Sequence, residues 1–249
     1  RLHHFPTFPL RMRVAKPLAM TCLLADTLTS MTAIPEAPMK IYLASGNEHK
    51  LGELRDALDL AGLACEVLSA NAIGGMPEVD ESGETFEANA LLKAAALLQQ
   101  GPPGALCLAD DSGLEVDHLD GRPGVISARY AGEPCDDEAN NDRVLREMVG
   151  VSDDKRSCRF RCVLALVGES LRKTFSGACE GILLHERRGS GGFGYDPLFL
   201  PDESPCTFAE ISSEEKARIS HRARALTKLV SFLREMEGSR ESRSSRASP

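Results

Sequence analysis

Strand-like and helix-like segments alternate along this chain, and this alternation restricts its fold more than any other feature of the sequence. The apolar run that opens 105–116 has the composition of a buried strand. In contrast, 50–62 places Leu51, Leu54 and Leu58 on one face of a helix. An alternating order of this kind predicts an α/β domain built on a mixed β-sheet.

Strands are predicted at 40–44, 65–70, 105–116, 159–169 and 173–184, the last two as a pair, and helices at 50–62, 85–100, 137–150 and 214–237. The two ends of the chain depart from this alternating pattern. We therefore place the folded domain at 39–237. The Ser/Arg-rich segment 238–249 is predicted to be a disordered tail. The proline-containing segment 1–38 is predicted to be disordered or to precede the native start, with a transit peptide as the alternative.

Charge and cysteine spacing narrow the class of protein. The formal net charge of −8 disfavours non-specific binding to nucleic acid or to an anionic membrane. No apolar run approaches the roughly 18 residues that a membrane span needs. The eight cysteines form no Cys-x-x-Cys pair, which argues against structural zinc and for reduced thiols. We expect a cytoplasmic protein without a stable nucleic acid partner or a membrane association.

The segment SGNEHK at 45–50 stands between the first strand and the first helix, where a phosphate-binding loop would lie. Gly46 permits close approach of the backbone to a ligand, and Lys50 supplies charge from the first helical turn. The segment lacks the glycine run and the Gly-Lys-Ser/Thr of a P-loop, which disfavours a kinase-type enzyme. By itself, it is equally consistent with a phosphate-binding loop and with a packing turn.

Acidic residues follow an apolar strand at LADDSG. We place Asp110 and Asp111 at the end of that strand, with Ser112 next in the chain. Neighbouring residues of a strand point to opposite sides, so one acid can face a cleft while the other does not. An acid in such a place can hold Mg²⁺ with few protein ligands. Asp-Ser-Gly is also ordinary turn chemistry.

A second group of acids precedes the alanine-rich helix at 85–100. Glu81 lies in the approach to this helix, and Asn89 and Lys93 share one of its faces. Acids near a helix N-terminus are favourable through the helix dipole, and a lysine on such a helix is usually solvated. The alternative is that Glu81 binds a metal and Lys93 a phosphate.

The clearest aromatic signal lies beside a glycine cluster. Glycines at 189, 191, 192 and 194 surround and precede Phe193, Tyr195 and Asp196. Aromatic rings stack on nucleobases, and a carboxylate accepts hydrogen bonds from a base edge or a ribose. A glycine-rich hairpin with incidental rings is the alternative. Further along, Lys216, His221 and Arg222 begin the last predicted helix, where a solvated basic face is the default.

Taken together, carboxylates for Mg²⁺, several cations for phosphates and a ring for a base are the groups that nucleoside triphosphate chemistry requires. The chain resembles the inosine triphosphate pyrophosphatase family. The resemblance is carried in order by SGNEHKLGEL, ESGETFEANALLKA, LADDSGLEVDHLDGRPGVISARYAG, GFGYDPLF and AEISSEEKARISHRARAL. Five segments in register over 39–226 are far more specific than a single short motif.

The resemblance implies roles for individual residues, and none of the matched positions departs from the family pattern. It implies that Glu81 and Asp111 hold Mg²⁺ and that Asp111 also accepts a proton. The residues implied in substrate binding are Ser45, Gly46, Asn47, Lys50, Lys93, Ser112, Phe193, Gly194, Tyr195, Asp196, Lys216, His221 and Arg222. Of these, 45–50 would grip the triphosphate and 193–196 would lie on the base side.

The family resemblance also implies a fold and an activity. We expect an elongated mixed α/β fold with two lobes around a nucleotide cleft, assembled as a homodimer. The expected activity is hydrolysis of deaminated purine nucleoside triphosphates (ITP, dITP and XTP) to the monophosphate and pyrophosphate. Two alternatives are a Maf-like pyrophosphatase for modified pyrimidine nucleotides and a non-catalytic nucleotide-binding module. The segments 193–196 and 220–222 argue against the first, and the set of Lys50, Glu81 and Asp111 against the second.

Overall fold

The structure, a computed structural model, describes residues 38–246. Within this range the chain forms one mixed sheet in the order β2-β1-β3-β4-β5-β6. The strands are β1 (Met39–Leu43), β2 (Cys65–Ser69), β3 (Leu106–Val116), β4 (Ser157–Gly168), β5 (Leu171–Leu183) and β6 (Phe199–Pro201). The α-helices are α1 (Glu48–Leu60), α2 (Phe86–Leu98), α3 (Asp137–Glu147), α4 (Ser213–Ile219) and α5 (His221–Arg246). The prediction of an α/β fold with a mixed sheet is confirmed.

Strand β1 ends while its neighbour β3 continues, so the later part of β3 has no parallel strand beside it. Strand β1 runs parallel to β2 and β3, and its register with β3 stops at Leu43 opposite Leu108. Beyond Leu108, β3 keeps only its antiparallel partner β4. Ligands of α/β sheets commonly bind at the carboxyl ends of parallel strands. The residues of β3 that follow Leu108 therefore border a natural place for a ligand.

Helices cover both faces of this part of the sheet. On one face, α1 and α5 bury a leucine-rich core that includes Leu54, Leu108 and Leu229. On the other face, α2 packs its small residues against the sheet, with Ala90 fully buried. A third core, which contains Phe160 and residues of α3, lies toward the carboxyl half of β3. Even-numbered residues near position 110 thus face α1 and α5, and odd-numbered ones face α2.

Asp110 and Asp111 lie inside β3 and not at its end, because pairing with β4 continues as far as Val116, where the predicted strand 105–116 also ends. Two boundaries differ from the sequence-based prediction. The long closing helix is two helices, because Ser220 is extended (φ −68°, ψ 158°) and its Oγ accepts from the backbone N–H of Ala223, as an N-cap does.

The end of α5 also lies beyond the predicted domain boundary at 237. The helix continues to Arg246, where a disordered tail was predicted from 238. Lengthening an existing helix needs no new nucleus, and Arg and Glu are good helix formers. Residues 247–249, and 1–37 of the predicted extension, lie outside the described residues. No helix in the described range has the length and apolar composition to cross a membrane.

Candidate functional site

The first part of the site is a buried carboxylate that gathers cations from two helices. Asp110 is 4% exposed. It accepts hydrogen bonds from Lys50 Nζ of α1 at 2.8 Å and from Arg222 Nη2 of α5 at 3.1 Å. Burial raises the pKa of Asp110, but Lys50 and Arg222 outweigh it, so the net pKa is far below its ordinary value. Asp110 is therefore an anion that fixes two of the predicted substrate-binding cations.

Neighbouring side chains complete this group. Ser112 Oγ donates to Asp110 Oδ2 at 3.2 Å, from the same face of β3. Arg222 Nη1 also pairs with Glu53 at 3.2 Å, so the guanidinium bridges α1 and β3. The predicted residues Lys50, Ser112 and Arg222 thus meet around a carboxylate that was not among the predicted site residues.

Asp111 forms a second group on the opposite face of β3. Its Oδ1 accepts from Lys93 Nζ at 2.8 Å, and its Oδ2 lies 3.4 Å from Asn89 Nδ2. The same lysine lies 3.4 Å from Glu81 Oε2. Burial raises the pKa of Asp111, and Lys93 only partly opposes this effect. Burial lowers the pKa of Lys93, but the adjacent Asp111 outweighs burial and makes the lysine more basic.

Asn89 holds this second group in place from the first turns of α2. Its Oδ1 accepts the backbone N–H of Gly83 at 2.8 Å, which ties the segment carrying Glu81 to the helix. A Cβ at Gly83 would lie 2.5 Å from that oxygen, so a larger residue does not fit there. The spacing that places Asn89 and Lys93 on one face of the predicted helix is the sequence signal for the role of Asn89.

The loop after β1 is ordered by its own side chains. Ser45 Oγ accepts the backbone N–H of Asn47 at 3.1 Å, and Asn47 Oδ1 lies 3.4 Å from the N–H of Lys50. Gly46 is exposed, and a Cβ added to it would have no atom within 4 Å. The space above this glycine is therefore open to a ligand, while Lys50 projects toward Asp110.

A third group gathers around Asp196 in the turn after the glycine cluster. Asp196 is 2% exposed, accepts the N–H of Phe193 at 2.9 Å and pairs with Lys216 Nζ. The ammonium lies 4.6 Å from the centroid of the Phe193 ring, a cation–π distance. The ring itself is 46% exposed. Burial raises the pKa of Asp196 against the opposing effect of Lys216.

Two predicted substrate contacts are more deeply placed than a contact residue needs to be. Tyr195 lies in the third core, and its hydroxyl donates to the Ser127 carbonyl at 2.8 Å. Its ring is almost fully buried, and its role in substrate binding stays a prediction. His221 is buried and stacked on Phe160 with a centroid separation of 4.8 Å. Burial, then the charge of Arg222, lowers the pKa of His221 well below its usual value, so the imidazole is neutral.

Apart from the loop residues 45–47, Tyr195 and His221, the predicted site residues form three groups, centred on Asp110, Asp111 and Asp196. Gly194 belongs to the third group through the backbone, with φ of +60°. Asp110 and Asp196 each form ion pairs with residues that are distant in sequence. Local sequence patterns do not reveal such pairs.

Comparison with known proteins identifies the family. The sequence profile of the Ham1 family matches residues 41–232. The chain belongs to the Ham1 family. A relative from Desulforamulus reducens, named dITP/XTP pyrophosphatase, is 50% identical over 196 residues, which cover 78% of this chain and 96% of the relative.

Solved Ham1 structures share the fold. A Ham1 protein from Coxiella burnetii has a TM-score of 0.73 and 37% identity, covering 79% of this chain and 99% of its own. The Staphylococcus aureus Ham1 protein has a TM-score of 0.72 and 36% identity, with the same coverage. The family resemblance stated from the motifs is confirmed.

Proposed function

We propose that this Ham1 family protein hydrolyses deaminated purine nucleoside triphosphates, such as ITP, dITP and XTP, to the monophosphate and pyrophosphate. The observation that carries the proposal is the Asp111 group, in which a buried carboxylate of raised pKa lies between Lys93 and Asn89, beside Glu81. The name of the Desulforamulus reducens relative supports the substrate class.

Glu81 and Asp111 fit a magnesium ion whose coordination shell is completed by the substrate. Mg²⁺ prefers oxygen ligands and is usually held by one or two carboxylates together with waters and phosphates. Glu81 and Asp111 supply such oxygens, since both reach the same lysine nitrogen. When bound, Mg²⁺ would neutralise charge on the phosphates.

The protein groups then account for the proton and the remaining charge. A water attacks the α-phosphorus, its oxygen bonds to phosphorus, and the bond to the bridging oxygen of pyrophosphate breaks. Asp111 accepts the proton of the water, and its raised pKa makes it a better base than an ordinary carboxylate. Lys50 and Lys93 supply fixed positive charge for the triphosphate. Ser45, Gly46, Asn47 and Ser112 would add hydrogen bonds around it.

Selection of the base is assigned to the Asp196 group. The exposed ring of Phe193 offers a stacking surface, and Lys216 beside it offers donors to the 6-oxo group that inosine and xanthosine carry. Adenine presents an amino group at this position, so a donor there would remain unpaired, which is costly in a buried site. His221 and Arg222 are further candidate donors, although Arg222 is already paired with Asp110. Guanine must be excluded through its 2-amino group.

A panel of triphosphates tests the proposal. The protein is incubated with dITP, XTP, dGTP, dATP and a modified pyrimidine triphosphate, and pyrophosphate and orthophosphate are measured separately. We expect pyrophosphate from dITP and XTP, with kcat/KM at least about 100-fold above dATP. Equal rates on all purines would remove the proposed specificity. Preference for the pyrimidine would favour a Maf-like enzyme, and no turnover a binding module. The homodimer and the cytoplasmic location remain predictions.

A further inference from the structure

Helix α3 holds the turn that carries Phe193, although none of its residues was predicted to act in the site. Asp137 Oδ2 accepts the backbone N–H of Gly194 at 2.7 Å. Asn141 Nδ2 donates to the carbonyl oxygen of the same glycine at 2.8 Å. Both polar groups of one peptide residue are therefore fixed by two side chains of α3, one helical turn apart.

The orientation of Asn141 is determined by its surroundings. Its Nδ2 also donates to the Asp137 carbonyl oxygen at 2.7 Å, so both neighbours of this nitrogen are acceptors and a flipped amide would lose both bonds. The side chain is buried, and its Oδ1 has no partner within the described part of the chain. A buried amide with an unsatisfied oxygen costs stability, which suggests that its contact with Gly194 serves the site.

The same helix also fixes the start of this turn. Arg187 Nη2 lies 2.7 Å from Asp142 Oδ1 and 3.0 Å from the Glu138 carbonyl oxygen. The segment from Arg187 to Gly194 is therefore attached to α3 at both ends. Between them, the Phe193 N–H donates to Asp196 Oδ2, the Phe193 carbonyl oxygen accepts the Asp196 N–H at 3.3 Å, and the Phe193 ring makes the cation–π contact with Lys216.

We propose that Asp137 and Asn141 are positioning residues for base selection. They hold Gly194 in its left-handed conformation, and so set the direction of the neighbouring Phe193 ring on which the base would stack. This inference rests on the proposed function for its catalytic consequence. Without the two contacts, the Phe193 ring would stay exposed but lose its fixed direction. Binding of the base would then weaken, whereas binding of the phosphates would not.

Asn140 provides a matched control on the same helix. It is also an asparagine buried in α3, but its amide bonds to the Ala131 N–H at 2.6 Å and to the Ala128 carbonyl at 2.9 Å, away from Gly194. Asn140→Ala and Asn141→Ala therefore remove similar buried amides with different partners. Asp137→Ala is a second clamp variant, which removes the acceptor of the Gly194 N–H at an exposed position and keeps the fold if Asn141→Ala does not.

Kinetics separate the base from the phosphates. For Asn141→Ala and Asp137→Ala we expect KM for dITP to rise about tenfold, the effect of one hydrogen bond. The inhibition constant of inorganic tripolyphosphate, a competitor without a base, should change less than about twofold. Asn140→Ala should leave the ratio of the two constants unchanged. A parallel rise in both constants, or no rise in KM in either folded clamp variant, would overturn the proposal.

A fluorescence measurement tests the clamp independently of catalysis. The chain contains no tryptophan, so Phe193→Trp places a single indole at the position of interest. In that background, Asn141→Ala and Asp137→Ala should lower the fluorescence anisotropy and increase quenching by acrylamide, whereas Asn140→Ala should not. Unchanged anisotropy and unchanged acrylamide quenching in both clamp variants would contradict the clamp, even if dITP is hydrolysed. A wild-type protein inactive on dITP would refute the proposed function and leave this readout intact.

Discussion

Replacement of Asp110 by asparagine should destabilise the protein more than any other change of a single atom in the site. Asn keeps the shape of the side chain but removes the charge that pairs with Lys50 and Arg222. Breaking a buried ion pair from one side costs about 3–5 kcal/mol, and Asn retains one acceptor oxygen, so we expect a loss of about 3 kcal/mol. For a domain of this size, that corresponds to a Tm lower by about 6–12 °C.

The pH dependence gives the prediction a definite sign. The pKa of Asp110 in the folded protein is far below the value of about 3.9 expected in the unfolded chain. Its carboxylate therefore stabilises the fold fully above about pH 5, and this contribution is lost progressively as the pH falls below the unfolded pKa. The difference in unfolding free energy between wild type and Asp110→Asn should be constant from pH 5 to 7 and smaller by about 1 kcal/mol at pH 3.

Urea unfolding at pH 7, 5 and 3, followed by circular dichroism, measures this difference. Asp111→Asn is the matched control, on the next residue of the same strand. Burial raises the pKa of Asp111, so its charge is already unfavourable and its removal should cost less than about 1 kcal/mol at pH 7. The reasoning is refuted if the two variants lose the same stability at pH 7, or if the effect of Asp110→Asn does not diminish at pH 3.

Three further predictions concern activity. Asp111→Asn should lower kcat on dITP by about 10²–10⁴-fold, because a general base is lost, with a Tm close to wild type; near-normal turnover would exclude this role. Lys50→Ala should raise KM for dITP by about tenfold or more, because a charge at the triphosphate is lost, and an unchanged KM and kcat would mean that the loop at 45–50 only packs. Chelation with EDTA should stop pyrophosphate release and added Mg²⁺ should restore it; activity that persists in EDTA would contradict the metal role of Glu81 and Asp111.

Much of the fold was predictable because periodicity records which face of a segment is buried. The leucines of α1 and the alanine-rich face of α2 pack as their spacing predicted. Ser220 was missed as a break because helix-forming residues stand on both of its sides, and only its backbone angles show the interruption. The strand at 105–116 was predicted, but the pairing with β4 that places Asp110 and Asp111 inside it is a contact distant in sequence.

The candidate site was likewise predictable only in part from the sequence. Motifs identified Lys50 and Lys93, which pair with carboxylates of β3, and Glu81, which lies beside Lys93. They also assigned Tyr195 to the base, although an aromatic residue in a motif can equally pack in the core, as this one does. Asp110 was passed over because the sequence does not show that α1 and α5 both direct a cation to it.

The fate of labelled water tests the central claim most directly. The protein hydrolyses dITP in water enriched in ¹⁸O, and mass spectrometry locates the label in the products. The proposed attack on the α-phosphorus predicts one ¹⁸O in dIMP and none in pyrophosphate. Label in pyrophosphate would place the attack on the β-phosphorus, and release of orthophosphate with dIDP would place it on the γ-phosphorus; either result would contradict the proposed reaction.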